Sequence, residues 1–217
     1  MMQIRSRLYA LLDAGSVPTA QLLDWADAAL TAGVGLLQYR DKHADRELRH
    51  ARATALVARA ADTRTPLLIN DDVELAREVG ASGVHVGRDD TPVARARARL
   101  GASAIIGATC HDKLSLAVQA VREGASYVAF GRFFPSGTKP GAPPADLSVL
   151  HRARQLGVPV VAIGGIDLTN AQQVLSAGAD WLAVSGALFQ TDSAEEVFRR
   201  TQAFNRLIEA FEHEDRS

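Results

Sequence analysis

The sequence predicts a single α/β domain in which eight strand–helix units close into a barrel. Short apolar runs rich in Val, Ile and Leu recur eight times, and longer amphipathic segments separate them. Glycine stands at several junctions where a helix should end and the next strand begin. The pattern continues over 217 residues with no linker, low-complexity tract or charge run, so the whole chain, 1–217, is expected to form one domain.

The apolar runs have the length of buried strands, and the segments between them have the period of helices. Helices are predicted over 45–61 and 113–122. A closing helix over 193–211 precedes a charged tail, from about residue 212, that we expect to fray. The predicted strands are 8–12, 35–39, 67–69, 83–86, 105–108, 127–130, 160–163 and 181–184.

Eight such units in 217 residues are typical of a (β/α)8 TIM barrel near the lower size limit of that fold. An open, doubly wound sheet is the alternative. It would usually carry a Gly-rich dinucleotide-binding loop after its first strand, and residues 12–16 lack that fingerprint. The TIM barrel is therefore the predicted fold.

The charge, the cysteine count and the apolar runs of the sequence limit the kinds of molecule that the protein is expected to bind. The net charge is -1 without a basic block, so a nucleic-acid partner is not expected. The single Cys110 excludes an intrachain disulfide and a thiol-based zinc site. The apolar run 8–12 is too short for a signal or membrane-spanning helix. We expect a soluble, cytoplasmic protein without a membrane partner, and we leave open whether it forms a homo-oligomer.

In a TIM barrel the strand C-termini open onto one face, where polar residues after each strand come together. The second predicted strand ends in Gln38, Arg40 and Lys42, which the alternation of an extended chain places on one side. Arg40 can bind phosphate oxygens through two N–H groups, and Lys42 acts as a point charge. The spacing suits a diphosphate. The alternative is a solvated strand end with incidental charges.

Carboxylates follow the next two predicted strands. Asn70 and Asp71 end the third strand, and Asp90 follows the fourth. Mg2+ is usually held by one or two carboxylates, with phosphate oxygens and water completing its coordination. Asp71 and Asp90 are therefore the predicted magnesium ligands, whereas Asp72 and Asp89 suit the dipole at a helix N-terminus.

The fifth strand is followed by a hydroxyl and an imidazole. Thr109 offers a hydroxyl group, and His111 is either a proton shuttle or a helix-start residue. No second His lies at ligand spacing, so neither a zinc site nor a nucleophile triad is supported. His85 is predicted to be a hydrogen-bonded core residue, and Cys110 a passive thiol.

Three Gly-containing loops suit phosphate binding. The loop 131–141 combines Ser136, Thr138 and Lys139 with glycines and prolines, which is the composition of an anion clamp or of an ordinary surface loop. Gly165 follows the seventh strand, and Ser185-Gly186 follows the eighth. Glycines there let backbone amides approach a phosphate, although tight turns also need glycine.

Together these motifs resemble the thiamine-phosphate synthase family nearly from end to end. The family pattern Gln-x-Arg-x-Lys matches 38–42, Ile-Asn-Asp matches 69–71, and Gly-Val-His-Leu-Gly with a later Asp corresponds to 83–87 and Asp90. The family's loop Phe-Pro-Thr-x-Thr-Lys is similar to residues 134–139. Ser136 stands where the family commonly has Thr, and Thr109 where it commonly has Ser, so both positions keep a hydroxyl.

The resemblance implies a transferase that joins 4-amino-5-hydroxymethyl-2-methylpyrimidine diphosphate to hydroxyethyl-methylthiazole phosphate. The implied mechanism is dissociative, with Mg2+ as cofactor and a pyrimidine carbocation that the thiazole nitrogen captures. The implied roles are diphosphate binding by Arg40, Lys42, Asn70 and Lys139, metal binding by Asp71 and Asp90, substrate orientation by Gln38 and Thr109, and thiazole-phosphate binding by Ser136, Thr138, Gly165, Ser185 and Gly186.

Three other functions remain as alternatives. A related thiazole tautomerase would use an imidazole near His111 and needs no diphosphate site, which the retained Arg40 and Lys42 disfavour. A Schiff-base aldolase would require a lysine in an apolar pocket, whereas Lys42 and Lys139 lie beside other donors. A phosphate-sensing barrel without catalysis is the third.

Overall fold

A closed barrel of eight parallel strands is present in the residues that this computed structural model describes, 6–135 and 144–215. The strands follow chain order around the barrel, and the last one pairs with the first. The predicted TIM barrel is confirmed. The strands are Leu8–Asp13 (β1), Leu36–Arg40 (β2), Leu67–Asn70 (β3), Gly83–Val86 (β4), Ile105–His111 (β5), Tyr127–Phe130 (β6), Val160–Ile163 (β7) and Trp181–Val184 (β8).

Strand β5 is three residues longer than predicted. Its polar end keeps pairing with β6 through a register shift between Thr109 and His111, and the Gly131 amide donates to the His111 carbonyl at 2.9 Å. Backbone pairing therefore extends the strand where the apolar pattern has already ended.

Helices alternate with the strands, and side chains set several of their starts. Asp45 accepts from the Leu48 amide at 2.8 Å and Asp72 from the Leu75 amide at 2.9 Å, so each caps a helix. The helices of the described residues are Leu22–Thr31 (α1), Arg46–Asp62 (α2), Val73–Glu78 (α3), Val93–Leu100 (α4), Leu114–Arg122 (α5), Ser148–Ala153 (α6), Ala171–Ser176 (α7), Gly186–Phe189 (α8) and Ala194–Asp215 (α9).

The closing helix continues past its predicted end at residue 211. Helix α9 extends to Asp215, so the charged segment from about 212 begins as helix, not as a frayed tail. An ion pair between Arg7 and Glu212, 2.9 Å apart, joins this last part of the helix to the start of β1. None of the helices in the described ranges is long and apolar enough to cross a membrane.

Two apolar layers result from the alternation of side chains along the strands. In β1, Leu8, Ala10 and Leu12 pack in the layer between barrel and helices, whereas Tyr9 packs inside the barrel. The interior cluster is small and is formed by Tyr9, Leu36, Leu68, Tyr127, Ala129, Val161 and Ala183.

Glycine ends two helices in the way the sequence predicts. Gly33 and Gly124 both have φ of 93°, which an L side chain would strain. After α1, the Val34 amide donates to the Ala29 carbonyl and the Gly33 amide to the Leu30 carbonyl, as in a Schellman motif. Such turns return the chain to the barrel, so every β strand begins at the same end.

Candidate active site

The C-terminal ends of β2 to β5 bring most of the predicted site residues to one face of the barrel. Arg40 and Asn70 end their strands, Asp71 follows β3 directly, and Thr109 lies near the end of β5. This is the face on which TIM-barrel enzymes carry their chemistry.

The two cations after β2 are each held by a carboxylate. Arg40 Nη1 lies 2.6 Å from Asp13 Oδ2, and Lys42 Nζ contacts Asp71 Oδ2. Asp13 is only 7% exposed and also accepts from the Gly15 amide at 3.1 Å. Sequence reasoning missed Asp13, although its place at the end of the first strand could have indicated it.

A second missed carboxylate, Asp41, fixes the backbone between the two cations. It accepts from Tyr39 OH at 2.9 Å, Arg52 Nη1 at 2.7 Å and the amides of His43 and Ala44 at 3.1 and 3.0 Å. Burial alone would raise the pKa of Asp41, but these hydrogen bonds outweigh it and lower the pKa below its ordinary value. Asp41 is therefore ionised and anchors the segment that carries Arg40 and Lys42.

Asp71 and Asp90 form a carboxylate pair from neighbouring strand ends. Burial raises the pKa of Asp71, and the adjacent Asp90 carboxylate raises it further, against the opposing effect of Lys42. The Asp71 amide donates to the His85 carbonyl at 2.8 Å, and Asp90 Oδ2 accepts from the Gly87 amide at 2.8 Å. Two carboxylates held this close favour a bound cation.

The predicted position at a helix N-terminus is confirmed for Asp72 and wrong for Asp89, because α4 begins at Val93 with Pro92 as its N-cap. Asp72 caps α3 and Asp89 is exposed. No group of three or more His, Cys, Asp or Glu within 6–135 and 144–215 could hold a metal ion. Asp71 and Asp90 nevertheless fit Mg2+, which needs only one or two protein carboxylates when phosphate oxygens and water complete its shell.

Below these charged residues, a chain of hydrogen bonds crosses the barrel interior. Gln38 Nε2 contacts Tyr9 OH, which lies 2.8 Å from Tyr127 OH. Tyr127 OH lies 2.8 Å from His85 Nδ1, and His85 Nε2 lies 2.8 Å from Thr109 Oγ1. The predicted site residues Gln38 and Thr109 are thus joined through three side chains, two of them tyrosines that sequence reasoning missed.

The structure confirms the core placement predicted for His85 and Cys110. Both ring nitrogens of His85 are hydrogen-bonded, and burial lowers its pKa to about 4 against the opposing charge of Asp90. Burial raises the pKa of the Cys110 thiol to about 12. His111 is exposed at the end of β5.

The loops after β6 and β7 meet at the same end of the barrel. The Phe134 amide donates to the Gly164 carbonyl at 3.1 Å. A Cβ on Gly165 would lie 2.5 Å from the Pro135 carbonyl oxygen, so the two loops approach too closely for a side chain there. Ser185 precedes the short helix α8, which begins at Gly186. Three predicted residues, Ser136, Thr138 and Lys139, lie outside the described residues.

Comparison with known proteins identifies the family. A family model described as thiamine monophosphate synthase matches residues 8–188. The chain belongs to the thiamine monophosphate synthase family. A thiamine-phosphate synthase of Marinobacter nauticus is 50% identical over 204 residues, which cover 94% of this chain and 91% of that protein. The predicted enzyme class, a transferase of thiamine biosynthesis, is confirmed.

Solved structures agree with this family membership. Thiamine phosphate pyrophosphorylase from Pyrococcus furiosus superposes with a TM-score of 0.84 at 29% identity, over 96% of this chain and 99% of that one. A 3-hexulose-6-phosphate synthase superposes with a TM-score of 0.67 at 18% identity, over 93% of this chain and 99% of that one. The second likeness shows the fold alone.

Proposed function

We propose that this family member joins 4-amino-5-hydroxymethyl-2-methylpyrimidine diphosphate to hydroxyethyl-methylthiazole phosphate, which gives thiamine monophosphate and diphosphate. The observation that carries the proposal is the carboxylate pair of Asp71 and Asp90 beside the cations Arg40 and Lys42 on one face of the barrel. Opposite charges are thereby arranged for a divalent cation and a diphosphate at the same place.

The reaction is proposed to be dissociative. The bond from the pyrimidine methylene carbon to the diphosphate oxygen breaks, the diphosphate leaves with the electron pair, and the thiazole nitrogen forms the new C–N bond. Negative charge grows on the departing oxygens, so Arg40, Lys42 and Asn70 lower the barrier by binding them. Asp71 and Asp90 would hold Mg2+, which would supply further positive charge for the leaving diphosphate.

The ion pair between Lys42 and Asp71 would separate when substrate and Mg2+ bind. Lys42 contacts the carboxylate of Asp71. Asp71 would bind the divalent cation in place of Lys42, and the Lys42 ammonium group would then be available to the diphosphate. Arg40 keeps Asp13 as a buried anchor while its remaining N–H groups face the leaving group.

The remaining predicted residues are assigned to substrate orientation and to the acceptor phosphate. Gln38 and Thr109 orient the pyrimidine. Backbone amides of Gly165, Ser185 and Gly186 bind the thiazole phosphate with the hydroxyls of Ser136 and Thr138, and Lys139 reaches the diphosphate. The packing of residues 131–135 on Gly164 and Gly165 supports a shared site for these loops. The roles of Ser136, Thr138 and Lys139 stay predictions from the sequence.

A product assay tests the proposal. Incubation of the protein with both substrates and Mg2+ should yield thiamine monophosphate, and chelation of the metal should abolish its formation. Interconversion of thiazole isomers without thiamine monophosphate would instead support the tautomerase function and contradict the proposal.

A matched pair of variants tests the metal assignment. Asp90→Ala should lower turnover about 100-fold or more, because Mg2+ loses a ligand and the charge on the leaving diphosphate is then less well stabilised. Asp89→Ala removes the exposed neighbouring carboxylate and should leave turnover near the wild-type value. Equal effects of the two substitutions would refute the assignment of Asp90.

A further inference from the structure

The hydrogen-bond chain inside the barrel has a direction. It runs from Gln38 through Tyr9, Tyr127 and His85 to Thr109, with a side chain from five different strands. Tyr9 and Tyr127 are 1% and 4% exposed, so solvent does not compete for their hydroxyl groups.

The direction follows from the Gln38 amide. An amide nitrogen can only donate, so Tyr9 OH accepts from it, and the Tyr9 proton is paired only if it is donated to Tyr127. With every proton of the chain paired in this way, Tyr127 donates to His85 Nδ1, and His85 Nε2–H donates to Thr109. The Thr109 hydroxyl already accepts a hydrogen bond within the chain, so its own proton remains available to a ligand.

At the opposite end of the hydrogen-bond chain, the Gln38 side chain presents an acceptor, its carbonyl oxygen Oε1. Gln38 is 1% exposed, and its Oε1 has no hydrogen-bond partner among the described residues. An unpaired buried carbonyl oxygen is unfavourable and would be stabilised by a ligand N–H group. Turning the Gln38 amide over would reverse every hydrogen bond in the chain, place the ring proton on His85 Nδ1 and leave Thr109 as an acceptor.

We propose that Tyr9, Tyr127 and His85 are positioning residues that hold Gln38 as a hydrogen-bond acceptor and Thr109 as a donor toward the substrate. The proposal rests on the proposed function, in which Gln38 and Thr109 orient the pyrimidine. It specifies the substrate chemistry, since a group that meets Gln38 must carry an N–H and a group that meets Thr109 must accept. An aminopyrimidine satisfies both requirements, whereas an oxo group in place of the amino group would face the Gln38 oxygen with a second acceptor.

Which ring nitrogen of His85 carries the proton shows the direction of the hydrogen bonds, and it can be measured without an activity assay. Nitrogen-15 NMR of the substrate-free protein at pH 7 should show a protonated Nε2 and an unprotonated Nδ1 for His85. The sequence contains six histidines, and the resonances that disappear in His85→Gln assign the ring. A proton on Nδ1 would overturn the proposal, because Gln38 would then be a donor and Thr109 an acceptor.

Kinetics of Tyr127→Phe test the effect on the substrate. Loss of the central hydroxyl should lower kcat/KM for the pyrimidine diphosphate about tenfold or more, with KM for the thiazole phosphate unchanged. Thr201→Val is the control, since Thr201 is fully buried and its hydroxyl donates to the Val197 carbonyl at 2.8 Å, away from the chain. A wild-type kcat/KM in Tyr127→Phe, or a similar loss in Thr201→Val, would overturn the positioning role.

A conservative substitution separates positioning from packing. His85→Gln keeps an N–H donor on a long side chain that can reach Thr109, so it should retain more activity than His85→Leu. Equal activity of the two variants would contradict the proposal. If the wild-type protein forms no thiamine monophosphate, the proposed function fails, while the NMR result still decides the direction of the hydrogen bonds.

Discussion

The substitution Gly107→Ala tests the packing on which the interior chain depends. Gly107 pairs directly with Tyr127 across β5 and β6. A Cβ on Gly107 would lie 2.5 Å from Tyr127 Cε1 and still nearer to its Cζ and hydroxyl oxygen. The missing side chain at residue 107 therefore makes the space that the Tyr127 phenol occupies.

The Tyr127 ring cannot move aside without losing its partners. It stacks on the His85 ring with centroids 5.6 Å apart and meets the Tyr9 ring edge-on at 5.9 Å, and its hydroxyl bonds to both. Overpacking of a core costs about 1–3 kcal/mol. Each of the two buried hydrogen bonds adds about 1 kcal/mol. Gly107→Ala should thus lower the free energy of unfolding by about 3–5 kcal/mol.

Urea denaturation followed by circular dichroism measures this loss, and a double-variant cycle locates its cause. In a Tyr127→Leu background the clashing atoms are absent, so adding Gly107→Ala should change the free energy of unfolding by less than about 1 kcal/mol. Gly186→Ala is the stability control, because its Cβ would meet only the flexible Gln190 side chain, at 3.1 Å. A Gly107→Ala cost below about 0.5 kcal/mol, or an equal cost in both backgrounds, would refute the reasoning.

Three further predictions concern the charged residues. Gly87→Ala would place a Cβ 2.7 Å from Asp90 Oδ2, so the Mg2+ concentration for half-maximal activity should rise about tenfold, and an unchanged value would contradict the metal site. Asp13→Asn removes the charged partner of Arg40, and steady-state kinetics should show KM for the pyrimidine diphosphate rising about tenfold while KM for the thiazole phosphate stays constant. The lowered pKa of Asp41 means that its stabilising effect is present above the ordinary carboxyl value and is lost as pH falls through the folded-state value. Acid titration of unfolding free energy should therefore show a smaller decline below about pH 4 in Asp41→Asn than in the wild type.

The barrel could be predicted because each of its units repeats a local pattern. Apolar residues recur with a period of two in strands and with the helical period in helices, and glycines mark the junctions. All of these are properties of residues that are close together in the sequence. The distinction between Asp71 and Asp72 was also accessible, since an acid just before an apolar helical segment has the position of an N-cap. The predicted ends at residues 108 and 211 were wrong because backbone pairing to β6 and the helical continuation of α9 do not depend on an apolar pattern.

Three of the missed residues, Asp13, Tyr9 and Tyr127, belong to contacts between distant parts of the chain. Asp13 lies 27 residues before Arg40, and Tyr9 lies 118 residues before Tyr127. In the sequence alone, each of them is a single polar residue within or directly after a predicted strand. Asp13 meets Arg40 because β1 pairs with β2, and Tyr9 meets Tyr127 because β1 and β6 both turn side chains into the closed barrel.

The sequence alone determined the order of strands and helices, the face on which the polar strand ends gather, and the family to which the chain belongs. These follow from local periodicity and from short motifs whose residues are close in the chain. Only the tertiary structure decided how these residues are held: Arg40 by Asp13, Asp71 beside Asp90, and Gln38 in hydrogen-bonded connection with Thr109. The physical reason is that a side chain's charge state and hydrogen-bonding role depend on burial and on its neighbours in space, which closure of the barrel creates.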